Sequence, residues 1–266
     1  MNSNIKKLLF LGDVVGRPGR RFLKERLPEY RSENGFDLVV ANGENAAGGA
    51  GITGKIALEL LDSGLDCITL GDHVWDQKNF QNEIDGILRV CRPANLPLGN
   101  PGRDRLVVAA GDFRIGFFTV LGRSFMRPQV DCPFATADRI ISELRDKVDA
   151  VVAEIHAEAT SEKIAFGWHM DGKVAAVVGT HTHVPTADAR ILPAGTAYQT
   201  DLGMTGPRQS VLGREVGPCL DRFLDGMPRK CPVAEADVGM QGVAFEIDLD
   251  SGSSISVHTV ELREES

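Results

Sequence analysis

The chain has 266 residues, 42% of them hydrophobic and 25% charged, an ordinary balance for one soluble domain spanning residues 1–266. Its formal net charge of -8 and pI near 5.3 argue against an extended basic surface for long nucleic acid, because phosphate neutralisation takes clustered Lys and Arg. Five cysteines, an odd number with no C-x-x-C spacing, argue against a disulfide framework or a thiolate zinc site and predict reduced thiols in a cytoplasmic protein.

Met1 to Lys7 leads into an apolar stretch too short for a signal-peptide core, and no apolar run approaches the ~20 residues of a membrane span. Leu8 to Leu11 reads as a buried strand and Gly12-Asp13-Val14-Val15-Gly16 as a turn. Arg17 to Tyr30 follows as a helix, with Phe22, Leu23, Leu27 and Tyr30 at helical spacing. Its basic residues Arg17, Arg20, Arg21, Lys24 and Arg26 read as a solvated face. The same order recurs in Leu38 to Ala41, the Gly-rich loop from Asn42 to Gly54 and a helix from Lys55 to Ser63. It returns in Cys67 to Leu70 before Gly71-Asp72-His73. Such alternation predicts βαβ units and a largely parallel sheet.

Further along, Leu106 to Ala110 and Phe113 to Val120 flank Gly111-Asp112 and predict an antiparallel hairpin. Phe134 to Lys147 reads as a helix, Ala150 to Ile155 and Lys173 to Val178 as strands, and Gly242 to Leu249 with Ser254 to Val260 as a closing hairpin around Asp250-Ser251-Gly252. The mixture predicts an α/β fold of two packed sheets with helices outside. No repeat, low-complexity tract or linker divides the chain.

Chemistry concentrates where the predicted strands end. Asp13 follows the first strand, Glu44 and Asn45 the second, Asp72 and His73 the third, and His156 a later one. His181 and His183 follow the apolar run Val174 to Val178 in Gly179-Thr180-His181-Thr182-His183. Open α/β sheets place ligand sites at these carboxyl ends. Taken singly, Asp13 also suits a helix N-cap, Glu44 and Asn45 a solvated loop, and His156 a hydrogen-bonded core histidine. Together, three carboxylates, one amide and three imidazoles exceed what one zinc ion uses. They suit two ions of the manganese, iron or zinc type sharing a bridging carboxylate. Two such ions polarise a phosphoryl group and activate water.

Five blocks carry a resemblance that runs nearly end to end: Gly12-Asp13-Val14-Val15-Gly16-Arg17-Pro18-Gly19, Asn42-Gly43-Glu44-Asn45-Ala46-Ala47, His156 to Lys163, Gly179 to Val184 and Thr200 to Pro207. In this order they resemble the signature blocks of the YmdB-type phosphodiesterases, a bacterial branch of the calcineurin-like metallophosphoesterases. The resemblance implies a four-layer α/β/β/α sandwich with mixed sheets, two iron or manganese ions, with zinc an alternative, and hydrolysis of 2′,3′-cyclic nucleotides to 3′-nucleotides. Carried over by position, Asp13, Asn45 and His183 would hold one ion, Asp72, His156 and His181 the other, Glu44 would bridge, and His73 would be the acid–base residue. The wider superfamily has His two places after its first Asp; this chain has Val15, and Asn45 would supply the missing donor. The family's Gly-Asn-His motif reads Gly71-Asp72-His73 here, so an amide that can donate to phosphate becomes a carboxylate that cannot.

Other residues receive blander readings. Asp76 reads at least as well as the N-cap of a helix near Gln77 as an orienting partner for His73, Arg92, Arg123 and Arg127 as surface ion pairs ahead of phosphate clamps, and His169 and His258 as packing or solvent-facing residues. The expected partner is a small phosphodiester or cyclic nucleotide, with no membrane and with homo-oligomerisation open. A phosphomonoesterase using the same centre, or a metal-retaining regulatory binding protein with weak turnover, remain alternatives. No G-x-S-x-G motif supports a serine hydrolase.

Overall fold

The computed structural model describes residues 4–264; Met1 to Ser3, part of the amino-terminal stretch read above, lie outside them. The first strand, β1 (Ile5–Leu11), leads into a two-residue strand, β2 (Asp13–Val14), then α1 (Gly16–Asn34), β3 (Leu38–Asn42), α2 (Gly54–Asp62), β4 (Cys67–Thr69), the single-turn α3 (Phe80–Glu83) and β5 (Val90–Cys91). Next come β6 (Leu106–Ala110), β7 (Phe113–Leu121), α4 (Pro133–Leu144), β8 (Ala150–His156), α5 (Thr160–Met170) and β9 (Ala176–Thr180). The chain closes with β10 (Arg190–Ile191), β11 (Ala197–Gln199), β12 (Met204–Pro207), α6 (Val216–Asp225), β13 (Val238–Asp248) and β14 (Ser253–Arg263). No helix among the described residues is long and apolar enough to cross a membrane.

One sheet has β13 at its centre, with β14 along one edge of it and β1 then β3, β4 and β5 beyond the other; β12 and β2 join at its end. From β1 to β5 the strands are parallel. The second sheet runs β10-β11-β9-β8-β7-β6, parallel from β11 to β7 with antiparallel edges. Side-chain alternation along each strand then builds the layers. Leu9 and Leu11 of β1 pack with Val39 and Ile68 against Phe22, Leu23 and Leu27 of α1 and Leu60 of α2. Leu8 and Phe10 point the other way and meet Ile115, Phe117, Val152 and Val178 of the second sheet. Beyond that sheet, Phe118, Val120, Ala153 and Val177 pack on Ile140 and Leu144 of α4 and Phe166 and Met170 of α5. Three apolar seams therefore separate four layers, the α/β/β/α sandwich, and each fully buried Phe or Leu contributes about 2 kcal/mol.

Several local readings change. The turn after β1 contains β2, whose Asp13 pairs with Met204. β9 begins at Ala176 rather than Lys173, and α5 and α6 lie where no helix is read from the sequence. In α5 the inward face carries Lys163 beside Phe166, Gly167 and Met170, so no apolar stripe marks it. The basic face of α1 is not uniformly solvated: Arg20 donates to the Ala46 carbonyl and pairs with Glu59, tying the Gly-rich loop to the helix.

Candidate metal centre

The carboxyl ends of the parallel strands from both sheets converge on one locus. Glu44, on the loop leaving β3, Asp72, after β4, His156, the last residue of β8, and His181, after β9, present ligand atoms all within 4.8 Å of one another. His156 Nε2 lies 3.0 Å from Asp72 Oδ1 and 3.3 Å from Glu44 Oε1. His181 Nδ1 lies 3.1 Å from His156 Nε2 and 3.3 Å from Asp72 Oδ1. Beside this group sits a second one. Asn45 Nδ2 is 3.0 Å from Glu44 Oε1 and 3.2 Å from His183 Nε2, and that ring nitrogen is 4.0 Å from Asp13 Oδ1. Glu44 touches both groups, as a bridging carboxylate must.

Backbone conformation sets this convergence. β9 stops at Thr180, and His181 and His183 both adopt left-handed φ, 98° and 62°, a conformation costly for residues with a Cβ and characteristic of functional sites. The buried pair Lys163 and Asp201 holds the loop there. Asp201 Oδ2 lies 2.6 Å from Lys163 Nζ and also accepts from the Thr182 backbone N–H and hydroxyl. Gly71 leaves the space: a Cβ there would stand 2.2 Å from Glu44 Oε2 and 2.4 Å from the His156 ring.

The charge balance calls for a cation. Asp13 is fully buried, and its Oδ1 has no hydrogen-bond partner among the described residues. Burial pushes its pKa up to about 7. Burial works to lower the His156 pKa, yet Glu44, Asp72 and Asp13 outweigh it and hold that pKa well above the usual value. Clustered carboxylates thus make the imidazole take up the positive charge that a metal would otherwise supply. Burial lowers the His183 pKa, and with Nδ1 donating to the Leu212 carbonyl its Nε2 lone pair points to Asn45. An unpartnered buried carboxylate oxygen, neutral imidazole and hard oxygen donors fit divalent transition-metal chemistry.

A buried network behind the ligands was not read from the sequence. Glu154 of β8 accepts from Asn42 Nδ2 at 2.7 Å, Thr119 Oγ1 at 2.6 Å and Thr180 Oγ1 at 2.6 Å. The Thr180 hydroxyl, having given its hydrogen to Glu154, must accept from His156 Nδ1–H at 2.9 Å. That fixes the His156 tautomer so that Nε2 faces the cluster. A Glu inside the apolar run that precedes His156 in β8 was the available signal.

His73 lies at the rim. Its backbone N–H donates to Glu44 Oε2 at 3.0 Å, and its Nδ1 is 2.7 Å from Asp76 Oδ2. Burial works to lower the His73 pKa, but Glu44, Asp72 and Asp76 raise it overall. Asp76 is therefore not an N-cap: α3 starts only at Phe80, after Asn79, and the Asp76 carboxylate orients the ring. Nor is Arg92 a surface ion pair, for it is buried and donates to the carbonyls of Pro93, Asn100 and Pro101. Arg127 lines a cavity with Asp72, His73 and His181. Arg123 stays exposed. His169 contacts Asp138.

The five sequence blocks all border this locus, and residues 9–260 match the family model for YmdB-like proteins. The chain belongs to the YmdB-like family. A 2′,3′-cyclic-nucleotide 2′-phosphodiesterase of Bacillus subtilis (strain 168) is 43% identical over 254 residues, covering 96% of each chain. Among solved structures, a hypothetical protein from Thermus thermophilus superposes with a TM-score of 0.89 at 41% identity, covering 97% of this chain and all of that one. A Mycoplasma pneumoniae protein described as a novel phosphatase gives a TM-score of 0.91 at 35% identity, covering 98% of this chain and 94% of its own. These superpositions show that the chain shares its α/β/β/α fold with both structures.

Proposed function

We propose that this chain is a dinuclear-metal phosphodiesterase that hydrolyses small phosphodiesters, 2′,3′-cyclic nucleotides to 3′-nucleotides. The observation that carries the reading is the Glu44, Asp72, His156 and His181 cluster within 4.8 Å, flanked by an Asp13 oxygen that lacks a donor. The specificity named for the Bacillus subtilis relative supports the substrate class and cleavage at the 2′ oxygen. Asp13, Asn45 and His183 would hold one ion, Asp72, His156 and His181 the other, and Glu44 would bridge them. An amide-plane flip at Asn45 exchanges Nδ2 for Oδ1 at the same position and turns the donor into a ligand. Iron or manganese suits this mixed oxygen and imidazole set better than zinc, which favours four-coordinate sites. Contributions from both sheets support reading residues 1–266 as one domain, and five free cysteines suit a cytoplasmic location.

When bound, the ions supply Lewis-acid polarisation of the phosphate and a lowered pKa for water. The chain supplies the rest. His73, with Nδ1 engaged by Asp76, keeps Nε2 for the substrate, and the surrounding carboxylates favour its protonated form. In that form it donates a proton to the departing ribose oxygen. Glu154, Thr180 and Asn42 hold the imidazole and loop in place and exclude water from behind the ligands.

Elemental analysis of protein purified without added metal, followed by assay against the four 2′,3′-cyclic nucleotides, tests this. The expected result is about two ions per chain, chelator-sensitive turnover and 3′-nucleotide products. Metal with hydrolysis of monoesters alone would replace the reading by a phosphomonoesterase, and metal without turnover by a binding protein.

A further inference from the structure

Phe125 is anomalous. It lies in the loop after β7, it is 89% exposed, and its φ is +63°, a region that bulky side chains rarely occupy. The loop does not reach that conformation by floppiness. Glu162 accepts from the backbone N–H groups of Arg123 and Ser124, Gly122 N–H donates to the His156 carbonyl, and Asn95 bridges the loop's two ends through Leu121 and Asp131. Met126 and Val130 pack inward against the first apolar seam. With its neighbour anchored inward, Phe125 is turned outward. An apolar ring is thereby held in water on a strained backbone.

The cavity it lines reaches the metal centre. Phe125, Met126, Arg127 and Pro128 line a cavity of about 510 Å³ together with Asp72, His73, Asp76 and His181. Arg127 forms no ion pair among the described residues, although two acids share its cavity. A neighbouring cleft that also touches His73 and His181 is lined by no Phe, Tyr or Trp. Its Arg214 is engaged by the Gly48, Gly49 and Cys231 carbonyls, and its Arg229 by Asp225. Of the two, the first cavity is the one lined by a phenyl ring.

Resting on the phosphodiesterase reading, we infer that Phe125 is the platform on which the substrate's nucleobase stacks, and that Arg127 faces its phosphate as a specificity-setting cation. A 2′,3′-cyclic phosphate is rigidly fused to the ribose. Once the phosphate is held beside His73 and His181, the base is carried one sugar ring away, toward the Phe125 loop. Every base has a π-face, so stacking there is sequence-tolerant and favours purines by area. A strained, preformed ring meets its ordering cost before the ligand arrives.

The test compares adenosine 2′,3′-cyclic phosphate with glycerol 1,2-cyclic phosphate, the same strained diester without a base, on the manganese-loaded protein. Phe125→Asn deletes the ring while tolerating the left-handed backbone; Phe125→Trp keeps a larger ring. In F125N the ratio of kcat/KM for the nucleotide to that for the glycerol diester should fall roughly ten-fold, carried by KM, the scale of one stacked base. F125W should preserve that ratio. Arg127→Ala should raise KM for both diesters. Calorimetric binding of adenosine 3′-phosphate, which needs no turnover, should weaken by a similar factor in F125N. An unchanged ratio, an equal loss on both diesters, or unaltered nucleotide binding in F125N would overturn the assignment. Nucleotide binding that depends on Phe125 in a protein that hydrolyses neither diester would sustain the platform and sink the phosphodiesterase reading instead.

Discussion

Thr180 Oγ1 stands 2.6 Å from Glu154 Oε1 and 2.9 Å from His156 Nδ1. One hydroxyl thereby converts a carboxylate buried between the sheets into control over which imidazole nitrogen reaches the metal centre. Asn42, from the other sheet, shares the same carboxylate, so the alignment of the two sheets and the readiness of the ligands are one arrangement.

Replacing Thr180 by Val removes that relay at nearly constant volume. Metal affinity should fall roughly 10- to 100-fold, the scale for outer-shell partners of a ligating His. Titration with manganese, read by calorimetry, checks it. Glu154→Ala goes further by stranding three buried donors, and should cost about 3 kcal/mol of stability as well.

Asp72 places a carboxylate where the family pattern has an amide, 3.0 Å from His156 Nε2. Asp72→Asn should retain metal and raise kcat/KM on cyclic nucleotides about ten-fold, the low end for a hydrogen bond to a charged group. Steady-state kinetics beside elemental analysis decide it; an unchanged or lower rate with metal retained refutes the account.

His73→Ala should lower kcat roughly 100-fold or more, the range for one general acid. Asp76→Asn leaves the ring but loosens its orientation, and should lower kcat by a smaller factor, about ten-fold. Metal content should be unaltered in both, so a parallel loss of ions would reassign His73 to the ligand set.

Lys163 and Asp201 are both buried at 2.6 Å. Lys163→Met leaves a buried carboxylate without its cation and should destabilise the fold by about 3–5 kcal/mol. Denaturant unfolding measures this. Restoring balance with Asp201→Asn in the same chain should recover part of the loss.

Gly71→Ala introduces a methyl group 2.2 Å from Glu44 Oε2 and 2.4 Å from the His156 ring. The expected outcome is a folded protein, by circular dichroism, that has lost most of its metal. Normal metal content would show that the centre accommodates the methyl group.

Periodicity alone made most of the architecture readable. Apolar runs located β1, β3 and β8, apolar and alternating segments around turn residues located both hairpins, and the polar residue at several strand ends marked the site. The resemblance carried the ligand roles and the layer order. Among what escaped were the short strands β2, β10, β11 and β12, too brief for a pattern, α6, α5, whose inward Lys163 breaks the apolar stripe, and Asp76, whose position three residues after His73 fits a helix cap and an imidazole partner equally well.

By itself, then, the chain's sequence determined the α/β class and placed ligand-capable residues at the strand ends, because these depend on local pattern and composition. Only the tertiary structure decided which of those residues meet, that Glu154 and Thr180 set the His156 tautomer, and that Phe125 lines a cavity with Asp72 and His181. Each of those relationships joins positions far apart in the chain, and a distance between such positions exists only after the two sheets have packed.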